Sequence, residues 1–221
     1  MTRHILLAGS TGLIGRNVRL QLGARPDIDL ISLVRNGSTA PGHPIEFEQL
    51  CVAPEATLRP VATDGVDVAI SCLGTTIRTA GSQHAMFRVD HDYVLALAKG
   101  AKALGARHFV LVSSVSAGGP GFYLKTKGAI EQAVTQLGFE RVDIIRPGFL
   151  LGQRGEKRVL ETVAQHVLAT LSPILPHRFS RYGVIPATLV SDAIVKLVGR
   201  GEPGRHVHEN ADLQRISGNS D

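Results

Sequence analysis

The chain has 221 residues, of which 43% are hydrophobic and 19% charged, and its formal net charge is +5. That is enough apolar material for one large domain with a substantial core, and it excludes wholesale disorder. Lys and Arg are scattered, which excludes a dense nucleic-acid-binding run, and no apolar stretch approaches the roughly 18 residues a membrane span requires.

Apolar runs then alternate with helical periodicity. Residues 5–8 read as a buried strand, followed by a helix ending near residue 24. Further strands are expected at 28–34, 44–47, 66–72, 108–114 and 141–146, with helices at 82–104 and 123–137. The βαβα order implies an α/β fold of the Rossmann type, a doubly wound parallel sheet with helices on both faces. The strands are rich in Val, Ile and Leu with little polar alternation, as burial on both sides demands.

After Gly148 the rhythm changes. A helix is expected at 156–171, a proline-marked stretch at 173–186 and a last helix at 189–198. Residues 149–198 read as a small C-terminal substrate-side cap within one domain spanning 1–221, because ligands of open α/β sheets bind beyond the carboxyl ends of the strands. Residues 199–221, rich in Gly and polar side chains, read as a partly flexible tail.

The strongest motif is the turn Gly9-Ser10-Thr11-Gly12-Leu13-Ile14-Gly15. It follows the first strand and opens a helix. Its glycines permit a tight turn and close approach of backbone to a pyrophosphate, and the helix N-terminus presents free N–H groups to the phosphates. About 20 residues on, an acidic residue would bind the ribose of NAD. Arg35 stands there instead, and a guanidinium suits a 2′-phosphate. NADP(H) is therefore the expected cofactor, with NAD(H) as the other candidate; Arg16 is a weaker second phosphate ligand.

Ser113 and Ser114 close the strand at 108–114. Tyr123 and Lys127 follow at i and i+4, on one face of a helix. An ammonium near a phenol stabilises the phenolate and suits it to acid–base work. Taken alone, the pair is equally a surface pair on an amphipathic helix.

The glycine turn, the strand-end serines and the Tyr-x-x-x-Lys pair together resemble the short-chain dehydrogenase/reductase superfamily. The closer resemblance is to its atypical branch, which contains the Tat-interacting oxidoreductase family and bacterial relatives. It is carried by Cys72-Leu73-Gly74-Thr75-Thr76, Arg88-Val89-Asp90-His91-Asp92-Tyr93-Val94, Leu111-Val112-Ser113-Ser114, Tyr123-Leu124-Lys125-Thr126-Lys127-Gly128 and Arg146-Pro147-Gly148. The resemblance implies that Gly9, Gly12 and Gly15 hold the pyrophosphate and Arg35 the adenosine phosphate, with Leu73 and Gly74 along the adenosine ribose. It implies Ser114 as the catalytic serine, Tyr123 as the acid/base, and Lys127 as partner of the tyrosine and the nicotinamide ribose. Pro147 and Gly148 would border the nicotinamide. The loop between Ser114 and Tyr123 is short and contains Gly118-Gly119-Pro120-Gly121, so it is either mobile or tightly turned. Whether Ser113, Ser114 or Ser116 faces the substrate stays open.

The remaining chemistry-bearing residues are quieter. Nine histidines are dispersed without a zinc spacing, so no metal is expected; His91 with Asp90 and Asp92 reads as a polar helix face. Cys51 and Cys72 form no CxxC or Cys/His cluster, and Cys72 reads as a buried small hydrophobe. The first residues are too soon broken by glycine for a signal peptide, which makes a reduced cytoplasmic setting the default expectation. Phe149, Gln153, Arg154, Phe179 and Tyr182 are candidates for a substrate pocket or for ordinary packing. The expected function is an NADP(H)-dependent reductase acting on a small carbonyl or related substrate. The alternatives are a non-catalytic NADP(H)-binding regulator and, less well supported by the length after Gly148, an epimerase or dehydratase of nucleotide sugars. A small-molecule substrate is the expected partner, without nucleic acid or membrane; the helices at 80–104 and 123–137 are candidates for a homodimer contact by analogy.

Overall fold

Ile5, Leu6, Leu7 and Ala8 lose all solvent contact because the strand that carries them, β1 (Arg3–Ala8), lies in the middle of a parallel sheet covered on both faces. A computed structural model describes residues 2–151 and 183–218. On one side of β1 lie β2 (Ile28–Arg35) and the edge strand β3 (His43–Ile45). On the other lie β4 (Val68–Ser71), β5 (His108–Val112), β6 (Arg141–Ile145) and the second edge strand, β9 (Gly204–His208). The order is β3-β2-β1-β4-β5-β6-β9, with every pairing parallel. A separate parallel pair joins β7 (Phe149–Leu151) to β8 (Val184–Pro186).

Successive side chains of a strand point to opposite faces. Leu6, Ala8, Ala69, Phe109 and Leu111 therefore pack under α2 (Phe47–Val52), α3 (Pro54–Leu58), α6 (Tyr93–Ala103) and α7 (Phe122–Thr135). Ile5, Leu7, Ile70 and Val110 pack under α1 (Leu13–Gly23), α8 (Ala187–Leu197) and α9 (Asn210–Gly218). The chain leaves β1 toward β2 and β3, then returns across it to β4. The switch in winding direction opens a crevice at the carboxyl ends of β1 and β4.

Several expectations shift in detail. The short strand at 44–47 is His43–Ile45: Pro44 is tolerated at a sheet edge, and Phe47 instead begins α2 with its ring buried. The helix at 82–104 is three segments. After α4 (Ile77–Ala80), Ser82 caps α5 (Gln83–Phe87) by accepting the Ala85 N–H at 3.0 Å, a π-turn occupies Arg88–Asp92, and α6 follows. The tail contains β9 and α9. Its polar strand residues escaped the apolar pattern because neighbouring buried acids satisfy them: His208 meets Asp143 at 2.7 Å, and Arg205 meets Glu131 at 3.4 Å. The last helix expected within the cap, α8, lies on the sheet face, where Val190, Ile194 and Leu197 are buried and Gln21 of α1 donates to Asp192 at 2.6 Å. The amphipathic period that announced it does not say which surface it covers. The expected helix at 156–171, most of the proline-marked stretch, and Gln153, Arg154, Phe179 and Tyr182 lie outside the described residues.

Candidate functional site

The glycine turn emerges from the carboxyl end of β1. Gly9 has φ +82°, in the left-handed region that favours glycine. Its N–H-bonded partner in the turn is Gly12, whose N–H donates to the Gly9 carbonyl at 3.0 Å. A Cβ on Gly15 would stand 2.1 Å from that same carbonyl, so only glycine lets α1 approach the turn this closely. Ser10 is buried and its hydroxyl points to the Leu33 carbonyl at 3.5 Å, tying the turn to β2. Ile14 is buried beneath α1, with Leu13 packed beside the same core. Gly12 is the N-cap of α1; no side chain caps it, and no acid occupies the first turn, so the positive end of the helix is not opposed.

A cleft of about 1180 Å³ opens beside this turn. Gly9, Thr11, Gly12, Leu33 to Ser38, Glu46 to Glu48, Cys72 to Thr75, His84, Arg88 and Tyr93 contribute to its wall. Arg35, exposed at the end of β2, lines it. Leu73 and Gly74, just beyond β4, line it too. Cys72, just after β4, lines the cleft beside the turn; burial pushes its thiol up to about 12, so it stays protonated and apolar in character. A pair not anticipated from the sequence closes the far end: the Tyr93 hydroxyl donates to Glu48, and Arg88 stands 3.8 Å from the same carboxylate. Burial and that hydrogen bond to Glu48 push the Tyr93 hydroxyl up to about 12, while the bond draws the Glu48 carboxyl down.

Ser114, Tyr123, Lys127, Pro147 and Gly148 lie outside this wall, around the ends of β5 and β6 and the start of α7. The serines are separated by their partners. Ser113 is buried and donates to Glu131 at 2.6 Å, whereas Ser114 is half-buried and its hydroxyl donates to its neighbour's carbonyl, Val115, at 3.3 Å. Ser116 sits in the loop with φ +62°. That loop is tightly turned: Ala117 N–H donates to Ser114 O at 3.1 Å, and Gly118 N–H to Leu124 O at 2.7 Å, seating it on α7. Glu131 also receives Arg146 through two nitrogens at 2.9 and 2.5 Å, a bidentate pair that joins α7 to the end of β6. Pro147 is buried, its carbonyl accepting the Val115 N–H at 3.0 Å. Gly148 donates its N–H to Asn210 Oδ1 at 2.9 Å, and the Asn210 amide reaches the Gly183 carbonyl at 2.8 Å. Thus α9, from the expected tail, holds the segment leading into β7 and the one leading into β8.

Tyr123 and Lys127 share a face of α7, with the Lys127 ammonium 5.9 Å from the Tyr123 ring centre. Tyr123 is 38% exposed, Lys127 only 3%. The ammonium's close partner is Asp90, at 2.8 Å. This corrects the reading of Asp90 as part of a polar helix face: it is fully buried, because the π-turn at Arg88–Asp92 rotates it toward α7. Its second oxygen accepts the Thr75 N–H at 2.8 Å. His91, half-buried, pairs instead with Asp92 at 2.9 Å and stacks on Phe87. Among the described residues, no group of three or more His, Cys, Asp or Glu is placed to hold a metal.

The profile of a family described as NAD(P)H-binding matches residues 9–172. "Protein fmp52, mitochondrial" of Emericella nidulans is 33% identical over 183 residues, covering 77% of each chain. Protein HTATIP2 of Rattus norvegicus is 38% identical over 162 residues, covering 72% of this chain and 65% of that protein. Among solved structures, a short-chain type dehydrogenase/reductase from Mycobacterium ulcerans superposes with a TM-score of 0.68 at 16% identity, covering 96% of this chain and 90% of that one, which shows a shared fold. The fungal relatives, which are named as mitochondrial proteins, overturn the cytoplasmic expectation. No helix among the described residues is long and apolar enough to cross a membrane.

Proposed function

The chain belongs to the NAD(P)H-binding family, as an atypical member of the short-chain dehydrogenase/reductase type, and from that premise we propose that it is an NADP(H)-dependent oxidoreductase reducing a small carbonyl or related substrate. The observation that carries this reading is Lys127, a nearly buried ammonium on the same helical face as Tyr123 and against the wall of a cleft that begins at a glycine turn.

The cleft fits a dinucleotide in three respects. Glycine at 9 and 15 lets the turn pack tightly against the Cys72 backbone and against the start of α1, α1 directs its unopposed N-terminus there, and Arg35 stands at the distance along the chain where the adenosine ribose is read. Gly9, Gly12 and Gly15 would hold the pyrophosphate, and Arg35 would bind the 2′-phosphate through paired charge-assisted hydrogen bonds. Pro147 and Gly148 would border the nicotinamide. When bound, NADPH supplies the hydride. The Ser114 hydroxyl would hold the substrate oxygen by a hydrogen bond, and the Tyr123 hydroxyl would donate the proton to it. Lys127 would hold the ribose and lend positive charge beside Tyr123. Ser114 is preferred to Ser113 because the Ser113 hydroxyl already donates its hydrogen bond to Glu131.

A second reading, a non-catalytic NADP(H)-binding regulator, is favoured by one observation: the Lys127 ammonium is engaged by Asp90 and not by the Tyr123 hydroxyl. The deciding experiment follows NADPH oxidation by the purified protein over a panel of aldehydes, ketones and quinones. Turnover supports the enzyme. Tight NADPH binding without turnover on any of them supports the regulator.

A further inference from the structure

Asp90 is a fully buried carboxylate, and a buried charge persists only with partners. It has two. Oδ1 meets the Lys127 ammonium at 2.8 Å, and Oδ2 accepts the Thr75 N–H at 2.8 Å. These contacts join three parts of the molecule: the π-turn, α7 and the loop after β4. A helix of ordinary pitch through Arg88–Asp92 would turn Asp90 to another bearing, so the widened turn is what delivers the carboxylate to Lys127.

The ion pair lies directly behind Gly74. A Cβ at Gly74 would stand 3.6 Å from Asp90 Oδ1 and 3.7 Å from Lys127 Nζ, and Gly74 itself is exposed on the cleft wall. The pair therefore packs against a residue that lines the cleft.

We propose that Asp90 is a positioning residue of this site: its ion pair fixes where the Lys127 ammonium points, and so how Lys127 meets the ribose that the proposed function assigns to it. The inference rests on the NADP(H) reading. A free lysine could swing through many rotamers; one held by Asp90, itself held by Thr75, presents its remaining N–H donors in one direction. On the NADP(H) reading the adenosine half would lie by Arg35 and would not touch Asp90 or Lys127.

That separation supplies the test. The full chain, its Asp90→Asn variant and the double variant Asp90→Asn/Lys127→Met are titrated calorimetrically with NADPH and with 2′,5′-ADP, which carries the adenosine phosphates and lacks the nicotinamide ribose. The double variant leaves no buried charge unpaired, so it tests the proposal even if Asp90→Asn alone folds poorly. The expected result is NADPH binding weakened about tenfold or more in both variants, with 2′,5′-ADP affinity unchanged within about twofold. A purely structural role would weaken both ligands together. Equal weakening of the two, or unchanged NADPH affinity, overturns the proposal. Failure of the unmutated protein to bind either probe overturns the NADP(H) reading itself, and the proposal with it.

Discussion

On the proposed function, cofactor choice would turn on Arg35 and the chemistry on the Tyr123–Lys127 pair. Replacing Arg35→Ala removes a charged donor from the cleft wall without touching the core. Such a loss is worth about 1.5–3 kcal/mol for a hydrogen bond to a charged group, and it should weaken NADPH more than NADH. Titration of both cofactors against both proteins checks this; equal affinities in the unmutated protein would refute the preference. Tyr123→Phe keeps the ring and should leave fold and cofactor affinity intact while turnover falls about 10²–10⁴-fold. Lys127→Ala should lower turnover and weaken cofactor binding as well, because the ammonium is placed against the wall of the cleft. A rate unchanged by Tyr123→Phe would remove the proposed proton donor. The glycine turn, Arg35, Tyr123 and Lys127 were legible because each belongs to a short stretch with its own spacing. Asp90 was not, because its meaning depends on a partner 37 positions away in the chain and on a π-turn that no local pattern announces.

At the scale of elements, the ends of β5 and β6 are braced from two sides. Glu131 of α7 ties Ser113 to Arg146, and Asn210 of α9 ties Gly148 to Gly183. The short loop between Ser114 and Tyr123 is the consequence: its backbone closes on itself and on Leu124. Asn210 is 2% exposed, so Asn210→Ala would leave the Gly148 N–H and the Gly183 carbonyl without this partner at a cost of about 1–3 kcal/mol. Urea unfolding measures the loss, and cofactor titration should show weakened binding in parallel if Gly148 borders the nicotinamide. An unchanged urea midpoint would show that α9 does not brace the site. The sequence pointed to each helix by its period, yet the period is blind to which neighbour a face meets. That is why α8 was expected over the substrate side and lies against α1.

Across the whole molecule, Asp143 joins the last strand to the rest of the sheet. It is fully buried between β5 and β9 and meets His108 and His208 at 2.7 Å each and Arg141 at 2.6 and 2.8 Å. Burial alone would push its carboxyl up; the hydrogen bonds from His108, His208 and Arg141 outweigh that and hold it well below the usual carboxylate range. In the unfolded chain the carboxyl takes up a proton near pH 4. Below that pH the unfolded state binds more protons than the folded one, so stability falls as the pH falls toward the folded-state value. At neutral pH the contribution is fully present. Asp143→Asn should cost about 3–5 kcal/mol there, by leaving buried charge unpaired, and should flatten the decline in stability between about pH 5 and pH 2. Urea midpoints across that range check it; an acid decline as steep as in the unmutated protein would dissociate Asp143 from it.

What the sequence by itself determined is local: the alternation of strand and helix, the parallel sheet it implies, the glycine turn after β1 and the family to which these belong. Backbone conformation and apolar period act over a few residues, and those forces are written in the order of the side chains. What only the tertiary structure decided is which distant groups share a buried charge. Glu131 takes Ser113 and leaves Ser114 half-buried, Asp90 takes Lys127, and Asp143 with Glu131 turns a polar segment near the end of the chain into the seventh strand of the sheet. A buried charge must find its counterpart wherever the fold brings one, and that search runs through space, where sequence spacing leaves no trace.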